Sequence, residues 1–442
     1  MPLPTGAAFF VKGCPVSAGP SFGYSTSRPN DDVTPIQGLN FSGVGYVSTS
    51  EDADPAVFPL NEPVRFTSTD PAYLSKLGTG YLADGVRGLN AQLSGYGADL
   101  TVVRVAVGAG ASDAAKLTAT FANIIGDAGA KTGLWALRAA RARTKSSLRL
   151  IGVPGYTAQQ PDGASVANPV VAALAEHLAA LKAIAVVDVA PGSKEAAIAA
   201  RGTIGSERIL PVGVGVRVYE PVNGIATLVT RPSAARVLGR FVATDNNNHG
   251  IPALPIANQP ILGIADISRP IDFDLGNAAS EGQILLAADV SIIVAGETGG
   301  GGLADGGFVF VGIESCATSD LWSQIHQVRM ADYCDVQLGR VTRTHLGGAI
   351  TPRRAEAWLT SLKFFLLGLV KDENILGFDL KFPKAINSVA DVQAGTLSIQ
   401  TRIEPLPVFR RAKNTVRRYP DAVEALVDAI VSAGGSASAT IV

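Results

Sequence analysis

The chain has 442 residues, of which 47% are hydrophobic and only 17% are charged, against about 25% charged residues in a typical globular domain. Its 37 basic and 38 acidic residues give a formal net charge of −1, so the composition excludes an intrinsically disordered chain and a general nucleic-acid binder. The most apolar run, residues 364–370, is far shorter than the ~20 residues of a spanning helix, and we recognise no secretory signal, so we expect no direct membrane insertion. A folded chain this poor in charge is expected to bury surface against other subunits.

The first 32 residues predict an extended arm, since they are rich in proline and glycine and cannot form a core. Beyond them the sequence predicts a compact region. Asp70 is expected to begin a helix there, because aspartate is favoured at the N-cap and Pro71 suits the first helical position. The predicted elements of this region are strands at 43–48 and 64–67, helices after Asp70 and at 82–93, a strand at 100–107, a strand at 148–153, a helix at 168–182, a strand at 183–189, a helix at 195–201, a strand at 209–218, and a half-buried strand at 271–275. Strands that alternate with helices favour βαβ units and a mostly parallel sheet covered on both faces.

A different pattern begins near residue 285. Thr351 and Pro352 begin the clearest helix in the chain, because apolar side chains then recur at i, i+3 and i+4 spacing. Those side chains are Ala355, Trp358, Leu359, Leu362, Leu366 and Leu369. The other elements predicted here are strands at 290–295 and 308–313, a helix at 320–335, an alternating strand at 397–403, a basic extended run, and an amphipathic helix at 421–432.

Three patterns associated with catalysis or nucleotide binding lack the context that they need. Ser21 sits in a GxSxG pattern, but no strand precedes it and no helix follows it, as a nucleophile elbow requires. The glycine-rich segment 296–307 lacks the Lys and Ser/Thr of a P-loop. Gly213 and Gly215 fall inside a predicted strand without the third glycine of a dinucleotide fingerprint. We therefore expect no catalytic residue and no bound cofactor.

Candidate metal ligands are also sparse. Asp272 and Asp274 lack the further ligands of a calcium loop, so an exposed strand face is the favoured interpretation. His249 follows three asparagines that could help to chelate a metal, but no second His or Cys lies nearby in the sequence. We expect no metal site.

An ordered set of short motifs runs through most of the chain. The motifs are segments 61–68, 82–84, 97–105, 243–263 and 320–333, together with Asp188, Trp358, Asn387, Asp391, Pro405 and Pro407. In this order and spacing they resemble the contractile tail-sheath family, over about residues 33–410. Residues 310–314 stand where the family has a W-G-x-R-T segment, and the helix after Pro420 is an addition.

The resemblance implies a structural protein and not an enzyme. Members of the family stack as hexameric rings around a rigid tail tube and contract together to drive that tube through a cell envelope. The implied partners are further copies of the chain, the tail tube protein, and the baseplate and tail terminator proteins, with no nucleic acid. The implied location is the virion tail, after assembly in the host cytoplasm. Contraction draws on the difference between two packings of the same subunits and needs no cofactor.

With the resemblance, the expected fold is a mixed α/β and α+β architecture with extended arms at both ends. An outer α/β domain is expected at 33–285 and a C-terminal, tube-facing α+β core domain at 286–396. The arms are residues 1–32 and residues 397–442, the latter containing an arm strand and the terminal helix.

The family's arms each lend a strand to a sheet in neighbouring subunits, and two runs here suit that role. A β-prone run in an extended arm is what addition to an open sheet edge requires. The residues expected to form these inter-subunit strands are Ala8, Phe9, Phe10 and Val11 at one end, and Leu397, Ile399, Thr401 and Ile403 at the other.

Two groups of basic residues are candidates for docking on the tube or on a neighbouring subunit. Arg353 and Arg354 open the Trp358 helix, which resembles the family's tube-attachment helix, and basic groups there oppose the helix dipole unless an acidic partner is present. The second group is Arg410, Arg411, Lys413, Arg417 and Arg418. For both groups, solvated surface residues are the alternative interpretation.

The three cysteines, Cys14, Cys316 and Cys334, form no CxxC pair and cannot all pair within one chain. Free thiols in a reducing cytosol are the default interpretation. The alternative is an intermolecular disulfide from Cys14, in the arm that is expected to reach a neighbour, to Cys316 or Cys334 of that neighbour.

Two other functions stay open on sequence grounds. One is a sheath of a related injection machine, such as a phage-like bacteriocin or a secretion system. The other is an α/β enzyme whose site the motifs do not reveal.

Overall fold

The computed structural model describes residues 40–222, 224–297, 303 and 306–434. The predicted arm strand at Ala8, Phe9, Phe10 and Val11, together with Cys14 and Ser21, lies outside the described residues. The chain divides after Pro405 into two units.

A six-stranded sheet forms the centre of the first unit. Its strands, in chain order, are β1 (Val44–Thr49), β2 (Pro63–Thr67), β3 (Asp99–Val105), β4 (Leu150–Gly152), β5 (Ile184–Asp188) and β6 (Ile209–Val212). The spatial order is β2-β3-β1-β4-β5-β6, and every neighbouring pair is parallel except β2 with β3. The predicted mostly parallel sheet is therefore confirmed.

Helices cover both faces of this sheet. In chain order the α-helices of the described residues are α1 (Pro71–Leu74), α2 (Tyr81–Asn90), α3 (Asp113–Ile125), α4 (Gly133–Thr144), α5 (Pro169–Leu181), α6 (Lys194–Gly202), α7 (Ala234–Asn247), α8 (Glu281–Ala287), α9 (Ile325–Arg343), α10 (Pro352–Lys371), α11 (Val389–Gln393) and α12 (Asp421–Ala433). Alternate residues of β1 enter different cores: Tyr46 joins the core that contains α2 and α7, and Val47 joins the core that contains α3, α4 and α5. This alternation follows from the period of two residues in a strand.

Short antiparallel sheets complete the first unit. Their strands are β7 (Val216–Val222), β8 (Ile225–Arg231), β9 (Gln259–Pro260), β10 (Asp266–Ile267), β11 (Ile292–Ala295), β12 (Phe308–Val311), β13 (Ile375–Lys381) and β14 (Gln400–Pro405). They form the sheets β10-β7-β8, β11-β12-β9 and β13-β14.

The helix starts that we predicted are confirmed at two sites. The Asp70 carboxylate accepts a hydrogen bond of 2.9 Å from the Ala72 amide at the start of α1. Thr351 precedes α10, and its hydroxyl accepts a bond from the Arg354 amide. Of the six apolar side chains in the predicted spacing along α10, Ala355 and Leu359 are half-buried, and the other four are buried, namely Trp358, Leu362, Leu366 and Leu369.

Two predicted strands are wrong. Residues 209–218 divide into β6 and β7, which belong to different sheets. The chain turns between these strands, where the Gly213 amide donates to the Ser291 carbonyl oxygen and the Gly215 amide donates to the Ser268 hydroxyl. Residues 271–275 form no strand: the Asp274 carboxylate accepts a bond from the Gly276 amide and folds the segment into a turn.

In the second unit, residues 406–419 carry no helix or strand, and α12 follows where the amphipathic pattern predicts it. The apolar side chains of α12 are exposed. No helix among the described residues is long and apolar enough to cross a bilayer. The predicted domain limits at residues 33, 286 and 397 stay predictions.

Candidate assembly surfaces

A buried ion pair joins α7 to α9. The Arg329 guanidinium donates to the Asp245 carboxylate at 3.0 and 2.5 Å, and each side chain is only 1% exposed. The guanidinium also lies 4.9 Å from the centre of the Phe241 ring and within 3.5 Å of the Phe41 carbonyl oxygen. Burial raises the pKa of Asp245, and the Arg329 charge opposes that shift. Helix α9 shares a hydrophobic cluster with β13 and β14. The ion pair therefore connects the β13–β14 region, through α9, to the helix α7 that packs on the central sheet.

A second set of buried polar contacts holds α7 to the central sheet. Arg236 on α7 pairs with Asp84 on α2, at 2.9 Å between Nη2 and Oδ1. At the carboxyl end of β5, Asp188 accepts bonds from the Ser233 amide and hydroxyl and from the Ala234 amide. Burial raises the pKa of Asp188, and these hydrogen bonds oppose the shift. These contacts hold α7 against α2 and against the carboxyl end of β5.

The two-stranded sheet of β13 and β14 contains part of the predicted arm strand. Thr401 lies opposite Leu380, and Ile403 lies opposite Phe378, so both pair within their own chain. Leu397 and Ile399 precede β14 and pack near Trp358. Within the described part of the chain the sheet has no third strand, so both outer edges present unpaired backbone groups. The sheet is a candidate receiver of strands; a role of these four residues between subunits stays a prediction.

One of the two predicted basic groups lies on a helix, and the other lies on a segment without regular secondary structure. Arg353 and Arg354 occupy the first turn of α10 and are exposed. The second group, Arg410, Arg411, Lys413, Arg417 and Arg418, is exposed along the irregular segment of the second unit. Their docking role stays a prediction.

Exposed apolar side chains are concentrated near these segments. On α10, Phe364 is 59% exposed and Leu367 is 43% exposed, although the opposite face of the helix is buried. On α12, five apolar side chains are exposed: Val423, Leu426, Val427, Ile430 and Val431. Isolated exposed apolar residues are normal, but clustered ones mark interaction surfaces.

The two described cysteines are buried and free. Burial raises the pKa of both the Cys316 and the Cys334 thiol to about 12. Neutral buried thiols react slowly, and a neighbour's Cys14 could reach them only if the surrounding core opened. The intermolecular disulfide stays a prediction, and this burial weighs against it.

Among the residues that the structure describes, no group of three or more His, Cys, Asp or Glu side chains could hold a metal ion. His249 lies at the turn after α7 with a φ of 55°. Asp272 and Asp274 lie in the turn described above.

The sequence motifs include Asp84, Asp188 and Asp245, but they predict no structural role for these three carboxylates. Neither Arg236 nor the role of Arg329 was predicted. The available signal was a charged residue inside an apolar helical pattern, as at Arg236 between Ala235 and Val237, since such a charge must find a partner when its helix face is buried.

No protein-family model matches the chain. A putative prophage major tail sheath protein of Pseudomonas aeruginosa strain UCBPP-PA14 is 26% identical over 310 residues, or 70% of this chain and 75% of that protein. The tail sheath protein of Escherichia phage P2 is 26% identical over 384 residues, or 86% of this chain and 90% of that protein. The major tail sheath protein of Serratia phage KSP20 is 24% identical over 86% of this chain and 91% of its own length. These relatives confirm the resemblance to tail sheath proteins.

Solved structures of contractile sheaths share the fold. The helical sheath of the anti-feeding prophage in its contracted state matches with a TM-score of 0.61 and 14% identity, over 91% of this chain and 99% of that chain. The contracted sheath complex of an extracellular contractile injection system, PVC, matches with a TM-score of 0.60 and 12% identity, over 92% and 100% of the two chains. At this identity the likeness shows the fold alone, and the predicted mixed α/β class is confirmed.

Proposed function

We propose that this chain is the repeating structural subunit of a contractile tail sheath, which stacks as hexameric rings around a tail tube and shortens to drive the tube through a host envelope. The observation that carries the proposal is the similarity to the P2 tail sheath protein over 86% of this chain. The shared fold with two contracted sheaths supports it independently. A similar chain also occurs in the anti-feeding prophage baseplate structure, which supports a baseplate contact.

Neighbouring subunits are linked, in this proposal, by strands added to the open edges of the β13–β14 sheet. Thr401 and Ile403 pair within their own chain. In this proposal they therefore belong to the sheet that receives a strand, and the C-terminal segment that is donated to a neighbour lies beyond Pro405. The N-terminal donor is the run Ala8, Phe9, Phe10 and Val11. Main-chain hydrogen bonds to an open edge provide the affinity in such strand addition.

Docking on the tube or on a neighbour uses the exposed basic groups. Arg353 and Arg354 are exposed in the first turn of α10, where they can contact an acidic surface of a partner. The five basic residues between Arg410 and Arg418 lie on a segment without regular structure that can follow a partner surface. The sheath, tube, baseplate and terminator would together form the tail of a virion or of a related injection particle, assembled in the host cytoplasm.

Electron microscopy of the purified chain, alone and coexpressed with its tube protein, tests the proposal. We expect striated tubes with six-fold rings in the coexpressed sample. A variant that lacks residues 1–32 is the matched control, and we expect it to keep the circular dichroism of the full chain but to form no ordered tubes. Discrete small oligomers in every sample would contradict a sheath function.

A further inference from the structure

A groove of about 600 Å³ lies at the amino end of β4, between α4, α5 and α9. Its walls are the end of α4, the turn that leads into β4, the end of α5 and the last turns of α9. Asn40 and Phe41, the first described residues of the chain, also line it. The groove is therefore built entirely within the first unit.

All the charged side chains that line this groove are cationic. They are Arg141, Arg149, Lys182, Arg340 and Arg343. Lys182 pairs with Asp335, which lies outside the lining. Arg141 and Arg343 are exposed, and the described residues include no ion-pair partner for either of them. The positive charges of Arg141 and Arg343 are therefore ones that an anionic occupant of the groove would offset.

The positive charge of Arg141 acts on Arg149, which lies in the same groove. Its guanidinium donates to the Leu181 and Lys182 carbonyl oxygens and lies 4.7 Å from the centre of the Phe41 ring. Burial lowers the pKa of Arg149, Asp332 opposes that shift, and the charge of Arg141 adds to it. A carboxylate in the groove would act in the same direction as Asp332.

The floor of the groove is apolar. Phe41, Leu137 and Leu148 lie there and are buried, and the half-buried Leu181 and Val336 line the sides. A matching occupant combines acidic side chains with apolar ones.

We propose that residues 31–39 of the same chain bind in this groove, with Asp31 and Asp32 facing Arg141 and Arg343. Asp31 and Asp32 are the only acidic residues among the first 39, and Val33, Ile36 and Leu39 can cover the apolar floor.

Chain length and the point of entry support this assignment. The Phe41 amide donates to the Gly250 carbonyl at 2.9 Å, and the Phe41 ring packs edge-on against Tyr333, so Phe41 is held at a fixed point on the groove wall. Seven residues lie between Asp32 and Asn40. The eight Cα-to-Cα steps that join these two residues can span about 27 Å when extended, enough to cross a groove of this size. The groove would thus fix the point from which the N-terminal arm leaves its subunit. This inference concerns the isolated chain and does not depend on a sheath function.

A disulfide trap tests the placement. In a Cys14→Ser background, Asp32→Cys combined with Arg343→Cys should form an intramolecular disulfide in the dilute full-length chain, mapped by peptide mass spectrometry. The control pair is Asp32→Cys with Lys116→Cys, because α3 follows the carboxyl end of β3, opposite to the groove. We expect the groove pair to cross-link at least about tenfold faster. Equal rates, or a disulfide formed only between two chains, would overturn the assignment.

A charge swap gives a second, independent readout. We expect Arg141→Glu with Arg343→Glu to raise chymotryptic cleavage after Leu39 about tenfold, because the acidic segment is then repelled. Adding Asp31→Arg and Asp32→Arg should restore protection, whereas cleavage after Tyr24 should not change. Failure of the four-residue variant to regain protection would overturn the proposal.

Discussion

Two buried ion pairs connect helices in the first unit. A buried ion pair contributes little net stability because desolvation opposes the attraction, but removing one partner leaves an uncompensated charge. Arg329 and Asp245 meet these conditions, since both side chains are almost completely buried. Asp84 with Arg236 is a second such pair. Both pairs use α7, so each constrains where that helix sits.

Replacing Arg329 by Met should destabilise the isolated chain by about 3–5 kcal/mol, because Asp245 would remain buried without its partner. The double variant with Asp245→Asn should recover part of this loss, since the stranded charge is gone. Urea denaturation measures both effects.

The matched control for this pair is Arg143→Ala, which breaks an exposed ion pair with Glu62 and should cost less than about 1 kcal/mol. If the single and double variants at the buried site unfold at the same urea concentration, the stranded charge is not the cause of the destabilisation.

Whole elements were predictable where local signals agree. For α10, the cap at Thr351, the following proline and the apolar spacing all indicate one helix, and the structure has it. The same holds for α5, whose cap Asn168 accepts bonds from the Val170 and Val171 amides. Such consistency between local and global preferences is typical of well-specified segments.

Elements decided by long-range contacts could not be predicted in the same way. The turn between β6 and β7 depends on Ser268 and Ser291, which are distant in sequence. The partner of β14 is β13, a strand that the alternation pattern did not reveal, and β14 itself ends at Pro405, two residues beyond the predicted strand. For the candidate surfaces, the basic residues were visible in sequence, but the burial of Cys316 and Cys334 and the pairing of Arg329 were not.

The outer face of α10 gives a prediction at the level of one element. Because Phe364 and Leu367 are exposed in the single chain, replacing both by Ser should change the free energy of unfolding by less than about 1 kcal/mol in total. The same variant should lose tube formation in the coexpression assay, since a clustered apolar surface is expected to be covered in the assembly.

The control lies on the opposite face of the same helix. Leu362 is fully buried, so Leu362→Ala should destabilise the chain by about 2–5 kcal/mol. Normal tubes from the Phe364 and Leu367 variant would show that this face has no role in assembly.

In the whole molecule, the low content of charged residues corresponds to exposed apolar side chains on particular elements. Exposed apolar side chains recur on α10, on β13 at Leu376, on α11 at Val389, and along α12. A monomer rarely leaves so many apolar groups in contact with water, because each loses the favourable free energy of burial. The charge content of 17% is therefore best explained by surfaces that are covered in an assembly.

The division of the chain after Pro405 makes the contribution of the second unit testable. A chain that ends at Pro405 keeps β14 and every hydrophobic core cluster of the first unit, so its melting temperature should stay within a few degrees of the full chain. It loses the basic run from Arg410 to Arg418 and the apolar face of α12, and we expect no striated tubes from it. A chain that ends at Ile399 is the matched control: without β14, the strand β13 has no partner, and the melting temperature should fall. Normal tubes from the 405-residue chain would place all inter-subunit contacts in the first unit and would remove residues 406–434 from the assembly proposed above.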